Sequence, residues 1–323
     1  MTASLRQAVD RLKGQRVLIV GDVILDEYLI GNAERLSREA PIPVLTFERR
    51  ELIPGGAANP GVNVARLESN AVQIGVIGDD ENGTLLLHQL RDGHIDPAGL
   101  VRDPSRPTTT KTRIMAQMGL RFPQQVVRLD RLDRSPISPE IERQVCQRIR
   151  ELARDANAVI ASDYLGGLMT PTVVAAIKES QALKVADAQG QFLKYVGFDL
   201  VKCNAAEAAR YVRRDLHDDA DFESAGREIS VALGGGDIMI TRGAEGMSII
   251  HGSEVTHVAA PTVEDVFDTV GAGDTVVALM TLALCAKLPL VEAALIANAA
   301  AGIVIRKVGN YAPTPDELRE ALS

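Results

Sequence analysis

The sequence predicts an α/β fold: a central, mostly parallel β-sheet covered by helices on both faces, with a small second β-sheet as a lid. Three observations carry this. Short Val/Ile/Leu-rich runs bounded by Gly, Asp or Asn alternate with helical stretches, the pattern of parallel strands buried on both faces. Two polar, extended segments, 23–50 and 107–131, break that rhythm and cannot join a parallel sheet without long crossovers. The last third is apolar and rich in Ala, as expected of helices packed on a sheet.

Taken in order, the buried strands are expected at Arg16–Val20, Val72–Ile77, Ala158–Ala161, Leu183–Ala186, Leu200–Cys203 and Asp237–Thr241. Helices are expected near 60–69, 83–92, 138–155, 171–180, 205–213 and 221–233. The lid strands would be Ile24–Ile30, Pro41–Phe47, Thr110–Met118 and Val126–Asp130. Gly273–Ala286 and Leu290–Val308, separated by Pro289, read as two packed helices, and Pro313–Leu322 as a short closing helix. Apolar edge residues Ile24, Leu29, Ile30 and Val44 predict a homodimer formed through the lids, because an uncovered small sheet invites association.

The chain has 323 residues. At that length roughly 75% of the unfolded surface can be buried, and either one large domain with an appendage or two domains is possible. Cys146, Cys203 and Cys285 are scattered, with no CxxC spacing, and read as small buried hydrophobes in a reducing compartment. The polar start has no apolar h-region and no long apolar span occurs, so a cytoplasmic protein without membrane contact is expected. A net charge of −8 argues against reading a nucleic-acid backbone. It does not exclude a small anion such as ATP, since backbone N–H groups and a metal act locally.

The chemistry is concentrated in a few runs. In Asp268-Thr269-Val270-Gly271-Ala272-Gly273-Asp274-Thr275 the glycines permit a tight turn, and an apolar helix follows at once. A helix N-terminus suits a phosphoryl group gaining charge, and a carboxylate in its first turn can take a proton from a hydroxyl. Asp274 is therefore either a base or a plain cap. Pro54-Gly55-Gly56-Ala57-Ala58-Asn59 brings bare backbone to one point, with Asn59 as an N-cap before Pro60 at N1, a ligand contact, or both. After the first strand, Gly21-Asp22-Val23-Ile24-Leu25-Asp26 places carboxylates at the end where parallel sheets bind ligands. Buried carboxylates there would hold hydroxyls; the alternative, a solvated turn, weighs more for Asp22 than for Asp26.

Asn204 and Glu207 have capping-box spacing, with an outer-shell carboxylate near a Mg²⁺–phosphate site as the functional alternative. Thr241-Arg242-Gly243-Ala244-Glu245-Gly246 either cradles a nucleotide or makes a hairpin. Two common nucleotide motifs are missing. There is no GxxxxGK[ST], and Gly271–Val276 lacks the third small residue of the dinucleotide fingerprint and sits too late in the chain.

These clusters, in this order, resemble the ribokinase-like (PfkB) carbohydrate kinases. The early pattern is met by Gly55-Gly56 and Asn59, followed by Gly78-Asp79-Asp80-Glu81-Asn82-Gly83; the late one by Asp268–Asp274. The similarity covers roughly residues 15–312. It implies a ribokinase-like three-layer sandwich, a single kinase domain over 1–323 with a lid from 23–50 and 107–131, and ATP-dependent phosphorylation of a sugar hydroxyl with Mg²⁺. It further implies Asp274 as base and the backbone of Gly271, Ala272 and Gly273 as anion hole. Asp26, Gly55, Gly56, Asn59 and Arg113 would hold the acceptor. Asn204, Glu207, Thr241, Gly243, Gly246 and Asn298 would line the nucleotide cleft. Asp268 and Val270 would hold a monovalent cation such as K⁺.

Within the family, Gly21–Tyr28, Arg35–Val44, Pro54–Asn59, Pro107–Arg113, Arg128-Leu129-Asp130, Ser162-Asp163-Tyr164 and Asn298–Gly302 are similar to the heptose-phosphate kinases of lipopolysaccharide precursor synthesis, whose acceptor is a heptose 7-phosphate. The chain departs from them at three places. Gly166 stands where a lysine is usual, and Asp187-Ala188-Gln189-Gly190 lacks a second lysine. Met118–Gln125 is longer than its counterpart. Lysine is a point charge for phosphate, so other acceptors within the family stay open: another sugar, a sugar phosphate or a nucleoside. A non-catalytic nucleotide- or sugar-binding regulator is the alternative from another class.

Overall fold

The computed structural model describes residues 2–119, 123–263, 266, 268–307 and 309–322. The chain begins with α1 (Thr2–Val9), β1 (Arg16–Gly21), β2 (Val23–Leu36), β3 (Pro43–Gly56), α2 (Ala58–Arg66), β4 (Asn70–Gly78), α3 (Glu81–Asp92) and β5 (Ile95–Asp103). Next come β6 (Thr110–Gln117), β7 (Gln124–Arg131), α4 (Pro139–Leu152), β8 (Ala158–Asp163), α5 (Pro171–Lys178), β9 (Leu183–Ala188) and β10 (Leu200–Asn204). The remainder is α6 (Ala205–Val212), α7 (Asp219–Ala232), β11 (Asp237–Thr241), β12 (Met247–His251), β13 (Glu254–Val258), α8 (Ala272–Cys285), α9 (Leu290–Val304) and α10 (Pro315–Ala321).

The main sheet runs β13-β12-β11-β10-β9-β8-β1-β4-β5, parallel from β11 to β5, with β12 and β13 added antiparallel at one edge. Side chains alternate across it with period two. Val17, Ile19, Ala158 and Ile160 face a core shared with α2, α3, α8 and α9. Leu18, Val20, Val159 and Ala161 face the other, built with α4, α5, α6 and α7. This is the expected three-layer sandwich. From β1 the chain proceeds to β4 and β5 on one side, then crosses to β8 and onward on the other. The carboxyl ends of β1 and β8 are therefore the switch point, where open α/β sheets bind ligands.

The lid is a separate four-stranded sheet in the order β3-β2-β6-β7. Its strands are longer than the sequence suggests, since β2 and β3 form one long hairpin from Val23↔Gly56 to Leu36↔Pro43. That length changes one expectation. Ile24 and Ile30 are buried, because the first half of β2 lies against the body. The large exposed apolar side chains of the lid are instead Leu36, Ile42, Phe47, Met118, Val126, Val127 and Leu129. Of the longer stretch Met118–Gln125, Leu120-Arg121-Phe122 lie outside the described residues, as does Val308 at the end of the expected helix 290–308.

Candidate active site

Asp274 lies in the first turn of α8 and is 8% exposed. The turn before it needs glycine. Gly271 has φ +81, and a Cβ there would sit 2.7 Å from the Asn59 amide nitrogen. A Cβ on Gly273 would lie 2.9 Å from Lys202 Nζ. The Gly271 and Gly273 N–H groups have no partner among the described residues, and that of Ala272 reaches the Thr269 carbonyl only at 3.4 Å. These are the free donors of a helix N-terminus.

Two donors hold the carboxylate. Asn59 Nδ2 donates to Oδ2 at 2.9 Å and Tyr164 Oη to Oδ1 at 2.7 Å. Burial pushes the Asp274 pKa up, and the Asp187 charge adds to it, giving a value of about 6; the Asn59 and Tyr164 hydrogen bonds and Lys202 oppose the rise. A carboxyl so placed can act as a base near neutrality. Behind the turn, Lys202 Nζ pairs with both oxygens of Asp187 at 2.9 and 3.1 Å.

Asn59 is not the cap of its helix. α2 begins at Ala58, its cap is Ala57 without a side-chain bond, and Asn59 sits inside the first turn with its amide turned to Asp274. Its Oδ1 is buried without a partner among the described residues. Asp22 is not a solvated turn either. Its carboxylate accepts the N–H groups of Tyr164, Gly166 and Leu168 at 3.0, 2.9 and 3.3 Å, binding the switch-point loop to β1.

Asp26 is buried and accepts from Arg113 Nη1 at 2.6 Å and from Asn310 Nδ2 at 3.1 Å. It fits only because residue 55 is glycine, whose Cβ would come 2.0 Å from Asp26 Oδ2. Gly56, at φ +56, turns the chain toward α2. Arg113 also stacks on the Tyr28 ring at 5.1 Å.

At the carboxyl ends of β10 and β11, Asn204 pairs in register with Thr241. Asn204 and Glu207 form the capping box, with bonds of 2.8 and 2.9 Å, and burial raises the Glu207 pKa. Residues 242–246 close the β11–β12 hairpin. Gly246 is required there, since a Cβ would meet the Val258 carbonyl at 2.0 Å, while Gly243 faces open space. Asn298 is buried in α9 and donates to the Ala259 carbonyl, tying that helix to the chain after β13. Asp268 accepts from the N–H groups of Val270 and Gly309, bracing the turn from behind.

A cavity of about 240 Å³ opens between lid and body, beside Tyr164. Its lining is mixed in charge: Lys111, Arg128 and Arg134 face Asp22, Asp130 and Asp133, together with Gly166 and Gln189. A larger groove of about 750 Å³, lined by Arg150, Lys184, Asp199 and Lys287 among others, lies at the amino ends of β8 to β10, away from the glycine turn. Tyr164 and Asp187 entered the sequence reading only within runs compared with the heptose-phosphate kinases, without a role, and Lys202 and Asn310 did not enter it as site residues. Lys202, a charge inside an apolar strand, gave a local signal.

A buried carboxylate at a glycine-opened helix N-terminus, set at the switch point of a doubly covered sheet and roofed by a lid, defines the small-molecule kinase class. The chain matches the pfkB family carbohydrate kinases over residues 15–317. It belongs to that family.

It is 38% identical over 330 residues to the bifunctional protein HldE of Trichlorobacter lovleyi, covering 100% of this chain and 65% of that protein. Against HldE of Geobacter metallireducens the figures are 39% over 308 residues, 93% and 61%. The chain thus spans under two thirds of these relatives. The fold is similar to phosphofructokinase-2 from Escherichia coli in complex with fructose-6-phosphate, with TM-score 0.78, 20% identity and coverage of 96% and 98%. Arabidopsis thaliana ribokinase complexed with ribose and ATP gives 0.72, 17%, 96% and 99%.

Proposed function

We propose that the chain transfers the γ-phosphoryl group of ATP to a sugar hydroxyl, the acceptor being a heptose 7-phosphate taken at its anomeric hydroxyl. The observation that carries this is the buried Asp274 carboxylate, held by Asn59 and Tyr164 beside unpartnered N–H groups. Such transfer needs positioning and charge stabilisation more than covalent chemistry. Asp274 takes the hydroxyl proton as oxygen attacks phosphorus in line and ADP departs. The N–H groups of Gly271, Ala272 and Gly273 meet the growing negative charge. Asn59 Oδ1 and the Asp26 carboxylate orient the sugar. Asn204, Thr241 and Gly243 border the nucleotide, and Asn298 and Gly246 shape its cleft from behind.

Glu207 fits an outer-shell role toward Mg²⁺. It is a single carboxylate with one oxygen on the Asn204 N–H, and no cluster of three metal-ligating side chains occurs among the described residues. Mg²⁺ keeps several waters and takes phosphate oxygens, so one carboxylate suffices. It would neutralise charge on the phosphates. Asp268 and the Val270 carbonyl would hold a monovalent cation, since each Asp268 oxygen keeps a lone pair beyond its one backbone bond; a phosphofructokinase-2 structure from E. coli is a complex with potassium.

What supports an anionic acceptor is that the three aspartates of the cavity are already engaged, Asp22 by loop N–H groups, Asp130 by Arg128 and Asp133 by Ser135, while two of its three basic side chains are not paired with an acid among the described residues. Gly166 and Gln189, which bring no positive charge, face the same space as Lys111 and Arg134. Arg128 is paired with Asp130, but neither Lys111 nor Arg134 has an acidic partner among the described residues. The test is an acceptor panel with ADP readout. Lys111→Met with Arg134→Met should raise KM for heptose 7-phosphate about tenfold or more and leave an unphosphorylated heptose unchanged. Equal effects on both acceptors would remove the phosphate assignment. ATP binding without turnover on any sugar would favour a regulator.

The single kinase domain, the cytoplasmic setting and the homodimer are part of the same proposal. The unpaired Cys146, Cys203 and Cys285 suit a reducing compartment, and the exposed apolar lid face suits a second copy. Among the described residues no helix is long and apolar enough to cross a membrane.

A further inference from the structure

We propose that Tyr164 is the positioning residue of the base: its hydroxyl fixes the Asp274 carboxylate, and the loop that carries it is built to aim that hydroxyl. This rests on Asp274 being the base. The loop is over-determined. Three of its N–H groups end on the Asp22 carboxylate, a fourth, that of Leu165, on Asp163 Oδ1 at 2.9 Å. Leu165 is held at φ +57, in the left-handed region that a branched side chain avoids. Such strain persists only where surroundings enforce it, and it clusters where geometry matters for function. Asp163 is itself anchored, by Lys194 Nζ at 3.0 Å and Tyr195 Oη at 2.7 Å.

Tyr164 stands between two compartments. Its ring lines the lid cavity, with Lys111 of the lid strand β6 over it at 5.6 Å, and its hydroxyl points away from that ring contact to Asp274. Burial and the nearby charges of Asp274, Asp187 and Asp26 push its own pKa well above the usual tyrosine value. It therefore remains a donor at every working pH. A hydrogen bond given to a carboxylate favours the charged form. The groups facing Asp274 are Tyr164 from the switch-point loop, Asn59 from α2, Asp187 from β9 and Lys202 from β10. Of these, Tyr164 is the one that also reaches the acceptor cavity.

The experiment is the pH profile of kcat for Tyr164→Phe, alongside wild type and Asp274→Asn, with ATP and the best acceptor of the panel. The acid limb of Tyr164→Phe should move up by about one pH unit, with KM for ATP unchanged. An unmoved limb overturns the inference. Asp22→Asn, which loosens the loop without touching the base, should shift the limb in the same direction, and keeps the test open should Tyr164→Phe melt early. An unmoved limb in both variants, with Asp274→Asn inactive, sinks the role of Tyr164 alone. Wild-type turnover in Asp274→Asn sinks the base assignment beneath it.

Discussion

At the scale of the residue, Asp274 is a carboxylate kept where it is unstable. Its folded pKa of about 6 lies above the usual 3.8, so the group contributes stability below 3.8 that is lost as pH rises through 6. At neutral pH the difference is about 3 kcal/mol. The ionised form that costs stability is the form that accepts a proton. Two results should therefore come together. Asp274→Asn should lower turnover by roughly 10²–10⁴-fold with a melting temperature equal to or above that of wild type. The wild-type kcat should fall with acid through a limb near pH 6. A destabilised, active Asp274→Asn protein would contradict both. Asp274, Asn59 and Asp26 were legible in the sequence because glycines mark the close approaches around them. Tyr164, Asp187 and Asn310 were not, since each reaches the site from a different strand end or the C-terminal segment, and the fold alone brings them together.

At the scale of the element, the turn into α8 is the sensitive piece. Gly271→Ala should cost roughly 1–2 kcal/mol from the left-handed backbone, and its methyl would displace the Asn59 amide. Turnover should fall further than stability. Gly14→Ala, at φ +76 with nothing within 4 Å and no assigned role, has a similar backbone angle, so thermal melts and kcat of the two variants separate backbone strain from loss of the site. The parallel strands β1, β4, β8, β9, β10 and β11 were readable because they are apolar runs bounded by turn residues. β5 was missed: Pro97 and Gly99 argue against a strand, and it is tolerated as the last strand of the sheet. β12 and β13 were missed because they are an antiparallel addition outside the strand–helix rhythm, joined through Gly252 at φ +57. Of the alternatives for Asn59 the cap falls away: Asn-Pro is good helix-start grammar, yet the helix starts before it and its amide is drawn to a carboxylate 215 residues away.

For the whole molecule, the proposed homodimer rests on the exposed apolar side chains of the lid. Phe47 and Leu129 are each 66% exposed, on β3 and β7, and β7 is exposed along its length. Phe47→Glu with Leu129→Glu should turn a dimer into a monomer by light scattering at micromolar concentration; a wild-type monomer would contradict the lid interface. The Asp26 carboxylate, tied to Arg113 on β6 and to Asn310 near the other end of the chain, has a further consequence in time. A chain leaves the ribosome N-terminal end first, at ≈ 5–20 residues per second. Asn59 is then made about 10–40 s before Asp274, and Asp26 waits longer still for Asn310, 284 residues on. The early half must hold two groups meant for burial, one of them charged, before their partners exist. Closure of the site thus waits on the C-terminal segment, and a nascent chain that stalls before residue 310 lacks the Asn310 partner of Asp26.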